Sequence, residues 1–339
     1  MRAVVLEKIN SPLTVREVDL TPLLAGQVLV RNLVSGLCGA QLHEIRGHKG
    51  NEKFLPHLLG HEGCGIVQDV GEGVTTVCPG DKVVMHWRKG TGIEAAFPKY
   101  VLDGKEISSG KVTTLSEYSI VSENRLTTVP PHTPEHLCAL LGCSMTTALG
   151  AINYDANLKF GESILIIGTG GVGLNLIQAA SMASAYPISC LELDEAKKTL
   201  ALSSGATTFT KNINELSEKE YDVIVDTTGN VDIISSTIPL LADRGRYIFI
   251  GQPPPGADII VPRGTDLWSA NGKTMKVSQG GCTTPSKDIS RYVKLYDAGI
   301  LNVDRIVTDV FALSEINEAF DLLRTGTAGR IMIRIGEEE

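Results

Sequence analysis

Three glycine-rich breaks carry the side chains best suited to chemistry: Ser35-Gly36-Leu37-Cys38-Gly39, Gly60-His61-Glu62-Gly63 and Leu141-Gly142-Cys143. Thiol, imidazole and carboxylate groups can ligate a metal or carry protons, and glycine's backbone freedom lets distant side chains converge. The other cysteines, Cys64, Cys78, Cys138, Cys190 and Cys282, lie in or beside apolar segments, where cysteine acts as a small hydrophobe. Taken one at a time, Cys38, His61 and Cys143 would also read as inert packing.

A second constellation, Gly168-Thr169-Gly170-Gly171-Val172-Gly173, sits between a continuous apolar strand, Ser163 to Ile167, and a helix, Val172 to Ala185. That context makes it a dinucleotide fingerprint. Gly168 permits the tight turn, Gly170 removes a Cβ that would keep the backbone from a pyrophosphate, and Gly173 lets the helix pack close to the sheet. The phosphates would then face free amides at a helix N-terminus. Glu192 follows Gly173 by nineteen residues (192 − 173 = 19), where a carboxylate accepts both ribose hydroxyls and repels a 2′-phosphate. NAD(H) is therefore expected, with Lys197 at the ribose edge; Lys197 and Lys198 are what would favour NADP(H).

Two architectures must position these groups. From residue 1 to about 150, β-branched runs such as Gln27 to Leu33, Gly65 to Val70 and Asp81 to Val84 alternate with Gly and Pro turns, which reads as a β-rich domain. Asp103-Gly104 marks a hairpin. Past Phe160, strands and helices alternate: Ile188 to Leu193, Glu195 to Ser204, Asp222 to Thr227, Val231 to Ala242, Arg246 to Ile250. Such alternation implies a doubly wound parallel sheet. A last helix, Ser314 to Leu323, opened by a capping Ser314, and a strand, Arg330 to Ile335, could return to either domain.

Lys plus Arg total 31 against 39 Asp plus Glu, a net charge of −8 with no dense basic run, so nucleic acid and anionic membranes are poor partners. No signal peptide or membrane span is read. Seven cysteines, an odd number, fit reduced thiols in a cytoplasmic protein.

Gly60-His61-Glu62-Gly63-Cys64-Gly65, the Cys38 loop, the Leu-Gly-Cys143 turn and the Gly168 fingerprint, in this order and spacing, resemble the zinc-containing alcohol dehydrogenases of the medium-chain dehydrogenase/reductase family. The resemblance implies an α/β protein with a GroES-like β-rich catalytic domain (1–148 and 281–339) and a Rossmann NAD(H)-binding domain (149–280). It implies one catalytic zinc on Cys38, His61 and Cys143 with a fourth position open, and Glu62 behind the metal as an exchange ligand. His43 matches the relay histidine, Thr147 and Val172 the residues against the nicotinamide, Gly251 the turn at the nicotinamide ribose, and Arg330 a cation near the pyrophosphate.

Two departures stand out. Ala40 replaces the hydroxyl residue that takes the alcohol proton, and Gln41 replaces the usual acid, so that a neutral amide is expected to orient His61. Met85 to Ser116 lacks cysteine, so no structural zinc is expected. In its place Trp87 matches an aromatic wall of the substrate pocket, and Arg88 and Lys89 beside it read either as holders of an anionic substrate or as a solvated basic loop. The expected activity is hydride transfer between NAD(H) and an alcohol or carbonyl, sugar-like or anionic, in a homodimer or homotetramer. The alternatives are a zinc-free C=C reductase of the same superfamily and a non-catalytic NAD(H)-binding protein.

Overall fold

The computed structural model describes residues 1–50, 52–267 and 272–336. The chain divides into two units: Met1–Thr146 with Thr284–Glu339, and Thr147–Thr283.

The first unit is built on a sheet whose strands run in the order Leu126–Thr128, Lys82–His86, Glu62–Val70, Gln27–Gly36, Arg330–Arg334 and Val307–Ala312, with Tyr118–Ser122 also paired to Gln27–Gly36. The C-terminal tail therefore returns here: Ile333 lies opposite Ser35, antiparallel. Its alternate apolar residues explain the choice, because Ile331, Ile333 and Ile335 fill a core with Leu6, Leu37, Ile45 and Phe320. The hairpin forms as expected. Leu102 pairs with Lys105, and Asp103 and Gly104 take φ of 50° and 74°, the left-handed pair that a two-residue turn between twisted strands requires.

In the second unit six strands lie in the order Thr208–Thr210, Ile188–Leu191, Ile164–Ile167, Tyr221–Asp226, Leu241–Phe249 and Thr274–Val277, every pair parallel. Numbered along the chain this is 3-2-1-4-5-6, the doubly wound arrangement. Ile164–Ile167 is buried throughout, as a strand covered on both faces must be.

Several boundaries differ from the sequence reading. The helix expected over Val231 to Ala242 stops at Thr237 and gives way to a short turn, Ile238–Leu240; Pro239 has no N–H to continue the ladder, and Leu241 already begins a strand. Ser314 is not a cap. It lies inside the turn Leu313–Glu315, where the Glu315 carboxylate accepts the Ala312 N–H at 2.7 Å. The β-rich half also holds three helices of seven residues each, Gly39–Ile45, Glu135–Leu141 and Ser144–Gly150, two turns apiece and too short to print a periodicity. Among the described residues no single helix is long and apolar enough to cross a membrane.

Candidate active site

Each break places one side chain. Cys38 caps the helix Gly39–Ile45 in extended conformation, its N–H donating to Gln41 Oε1 at 2.8 Å. His61 immediately precedes the strand Glu62–Val70. At Gly60, φ is +101° and a Cβ would lie 2.7 Å from the Thr114 backbone nitrogen, so only glycine can bring the chain into this corner. Cys143 joins Glu135–Leu141 to Ser144–Gly150. The ligating atoms of Cys38, His61 and Cys143 lie within 4.8 Å of one another. Two sulfurs on one zinc at about 2.3 Å in tetrahedral geometry stand ~3.8 Å apart, so the donor set fits that ion.

The local charges favour the fit. The hydrogen bond from Cys143 holds the Cys38 thiol well below its ordinary range, with His61 and Arg330 adding to it against the cost of burial. Cys143 is pushed up in turn, by the same bond and by burial. The pair thus shares a proton that a bound cation displaces.

Glu62 is not among the converging atoms. It is fully buried, ion-paired with the Arg330 guanidinium, and its Oε2 accepts the Ser144 N–H at 3.2 Å. Arg330, which the resemblance sets near the pyrophosphate, is 5 % exposed and its guanidinium is engaged by Glu62. The Gln41 expectation also changes: its Oε1 is committed to the Cys38 backbone rather than to His61, and its buried Nε2 has no partner among the described residues. Ala40 occupies the first turn of Gly39–Ile45. His43, on the same helix, faces His48 with 3.4 Å between their Nδ1 atoms, and burial followed by the His48 and Lys49 charges lowers its pKa.

A cavity of about 590 Å³ opens on His61 and Trp87. Its wall is largely apolar, with Phe54, Leu58, Phe97 and Ile107, and its charged lining carries Lys49, Lys99 and Lys111 together with Glu44 and Glu106, Lys49 pairing with Glu44 at 2.8 Å and Lys99 with Glu106 at 2.9 Å. Here the sequence reading needs correction. Arg88 and Ala40 do not line the cavity; Arg88 lies over the Trp87 ring, 5.7 Å from its centroid, and Lys89 pairs with Glu94 at 3.4 Å. Lys99 and Lys111 went unnoticed because they flank the hairpin strands Tyr100–Leu102 and Lys105–Ile107 at positions that carry no motif.

His86 ends the strand that leads to Trp87, and burial pushes its pKa down to about 4. Neutral, it can donate from Nδ1 to the Arg88 carbonyl at 2.7 Å and accept at Nε2 from the Thr127 hydroxyl at 2.9 Å. Because the folded pKa lies below the unfolded value of 6.5, the unfolded chain binds more protons between pH 6.5 and 4, and stability falls as pH drops through that window. The loss should reach about 3 kcal/mol. Urea denaturation at pH 7, 5.5 and 4.5 tests it, with His86→Gln expected to flatten the dependence.

In the second unit Gly168 (φ +84°) makes the turn, Gly170 faces open space, and Gly171 and Val172 start the helix Gly171–Met182. A Cβ on Gly173 would lie 2.0 Å from the Gly168 carbonyl oxygen, and one on Gly251 2.1 Å from the Gly229 nitrogen. Thr147 is buried on the helix Ser144–Gly150. Glu192 Oε2 accepts the Thr169 N–H at 2.8 Å and hydroxyl at 3.0 Å and meets Lys197 Nζ at 3.3 Å. Burial raises its pKa, but these bonds and that of Asp194 outweigh it and hold the carboxylate ionised. Thr169 was missed because the fingerprint leaves its position free.

Residues 24–131 match the alcohol dehydrogenase GroES-like domain and residues 196–331 the zinc-binding dehydrogenase domain. The chain is 31 % identical over 373 residues to an S-(hydroxymethyl)glutathione dehydrogenase of Escherichia coli O6:H1, covering 98 % of this chain and 99 % of that protein. It is 29 % identical over 375 residues to the alcohol dehydrogenase class-3 of Cereibacter sphaeroides, covering 98 % and 99 %. Its fold matches the crystal structure of benzyl alcohol dehydrogenase from Acinetobacter calcoaceticus with a TM-score of 0.89 at 24 % identity, over 99 % of each chain. With its two thiols and imidazole gathered on one point and its doubly wound nucleotide sheet, the chain belongs to the zinc-containing medium-chain alcohol dehydrogenases and is a zinc-dependent, NAD(H)-linked oxidoreductase.

Proposed function

We propose that this enzyme moves a hydride between NAD(H) and the alcohol or carbonyl carbon of a substrate with an apolar body and an anionic end. The observation that carries the reading is the convergence of Cys38, His61 and Cys143, of which His61 opens on a cavity lined by apolar side chains and by Lys49, Lys99 and Lys111 against Glu44 and Glu106. Sugar-like polyols are the weaker part of the expectation, since an apolar wall leaves their hydroxyls without partners. A zinc-free C=C reductase would have no use for two sulfurs gathered on one imidazole.

When bound, zinc supplies Lewis acidity at the substrate oxygen; Cys38, His61 and Cys143 would hold it. Glu62 and Arg330 set the charge behind these ligands. Gly168, Gly170, Gly171 and Gly173 would receive the pyrophosphate on backbone N–H groups, Glu192 and Lys197 the adenosine ribose, and Gly251, Thr147 and Val172 the nicotinamide end. His43 would pass the alcohol proton to solvent, reached through water or a ribose hydroxyl because Ala40 offers none. The odd number of cysteines supports a reducing, cytoplasmic setting. The strand Thr274–Val277 at the end of its sheet supports a homodimer or homotetramer.

An NAD⁺ reduction screen tests the substrate. Aromatic alcohols carrying a carboxylate, such as 4-(hydroxymethyl)benzoate, together with S-hydroxymethylglutathione, are expected to exceed neutral polyols in kcat/KM by at least about tenfold; a polyol at the head of the ranking would overturn the assignment. For the cofactor, Glu192→Ala should release Lys197 to face a 2′-phosphate and move the NAD/NADP ratio of kcat/KM by about a hundredfold toward NADP, ~2.7 kcal/mol. An unmoved ratio would remove Glu192 from the ribose site.

A further inference from the structure

We infer that Glu94 and Arg125 are positioning residues for the substrate cavity, strapping the irregular segment Trp87 to Lys99 so that Trp87 is held in the cavity wall and Lys111 against Phe97. This deepens the reading above and rests on it, since it takes the cavity beside His61 as the place where substrate binds.

Thirteen residues, Trp87 to Lys99, separate the strands Lys82–His86 and Tyr100–Leu102 without a helix or strand of their own. A segment of that length has no internal ladder, so it keeps one shape only where other groups satisfy its backbone. Residues 123 to 127 do so. The Gly90 N–H donates to the Asn124 carbonyl at 2.7 Å, the Ile93 N–H to Glu123 Oε2 at 2.7 Å, and Arg125 Nη1 to the carbonyl of Trp87. His86, itself fixed by Thr127, holds the Arg88 carbonyl.

Glu94 closes the strap. Arg125 Nη2 reaches its two oxygens at 3.2 and 3.3 Å, Asn124 Nδ2 donates at 2.9 Å, and Lys111 Nζ stands at 3.2 Å. Although burial works against the charge, hydrogen bonds from Asn124, Lys111 and Arg125 prevail and hold its pKa at about 2, so the node is ionised at any working pH. Arg125 is 10 % exposed and rigid through its planar fork.

Neither residue lines the cavity, but the groups they hold do. Trp87, its carbonyl pinned by Arg125, is held as part of that wall. Lys111 also donates to the Ala95 carbonyl at 2.8 Å and lies 4.2 Å from the centre of the Phe97 ring. Loss of the node should therefore loosen the wall while leaving the metal ligands in place.

The chain has two tryptophans, so a Trp268→Phe background makes Trp87 the sole emitter. In that background Glu94→Gln removes the charge and Arg125→Lys the fork. Both variants are expected to shift Trp87 emission to the red and expose it to acrylamide, and to raise KM for 4-(hydroxymethyl)benzoate about tenfold while kcat stays within about twofold and zinc content is unchanged. Unaltered emission and KM in both variants would overturn the inference. So would a fall in stability and zinc content with Trp87 emission unmoved, which would mark the pair as structural only. Should the wild-type enzyme turn over no anionic or aromatic alcohol, the substrate reading falls by itself, and the emission readout still decides this one.

Discussion

Cys38→Ser is expected to leave the purified protein with little bound zinc and to lower kcat/KM by about 10³-fold or more, ~4 kcal/mol of transition-state stabilisation. The size follows from the donor set. Cys38 is the thiol already held toward its anionic form by Cys143, His61 and Arg330, so it offers the first thiolate of a site that needs both sulfurs deprotonated to balance a divalent metal. A serine hydroxyl at the same place stays protonated and is a poor ligand. Metal analysis of protein purified without chelator, run beside NAD⁺ reduction, checks both halves. Cys190→Ala is the control, because Cys190 is buried in the strand Ile188–Leu191 of the other unit and should leave zinc at the wild-type level. Zinc loss in Cys38→Ser without loss of turnover would remove the metal from the mechanism.

The second large effect is on stability. Arg330→Leu should destabilise the fold by about 3–5 kcal/mol, because it strands the Glu62 carboxylate, fully buried, without its cation. Glu62→Gln on top of it should recover most of that loss: the amide carries no charge and its oxygen can still accept the Ser144 N–H now bonded to Glu62. Urea denaturation of wild type, both single variants and the double variant gives the coupling between the two residues. A single variant within about 1 kcal/mol of wild type would show that water or another group compensates Glu62 and that the pair does not set the charge behind the ligands.

Legibility tracked the range of the interaction. Asp103-Gly104 could be read as a hairpin because two adjacent residues must both take positive φ, a local demand. The fingerprint was equally local, since Gly173 answers a clash with Gly168 only five residues away. The helix at Val231 was misjudged at its far end because Pro239 permits a helical start and a helical stop alike. Lys111 and Lys99 escaped notice as cavity residues because nothing near them in the chain distinguishes a lysine at a cavity edge from one in solvent. The basic pair that did stand out, Arg88 and Lys89, turned to Trp87 and Glu94, contacts set by the path of an irregular segment.

Residue types and their neighbours alone were enough for the nucleotide loop, for the family resemblance and for the three residues able to take zinc, because each depends on glycine geometry and donor chemistry at short range. Partnerships across the chain were decided only in three dimensions: Glu62 with Arg330, 268 positions apart, Glu94 with Arg125, and the return of Arg330–Arg334 to the sheet of the first unit. A charge in a sequence has no preferred partner until burial removes water as the competitor, and burial is a property of the whole fold.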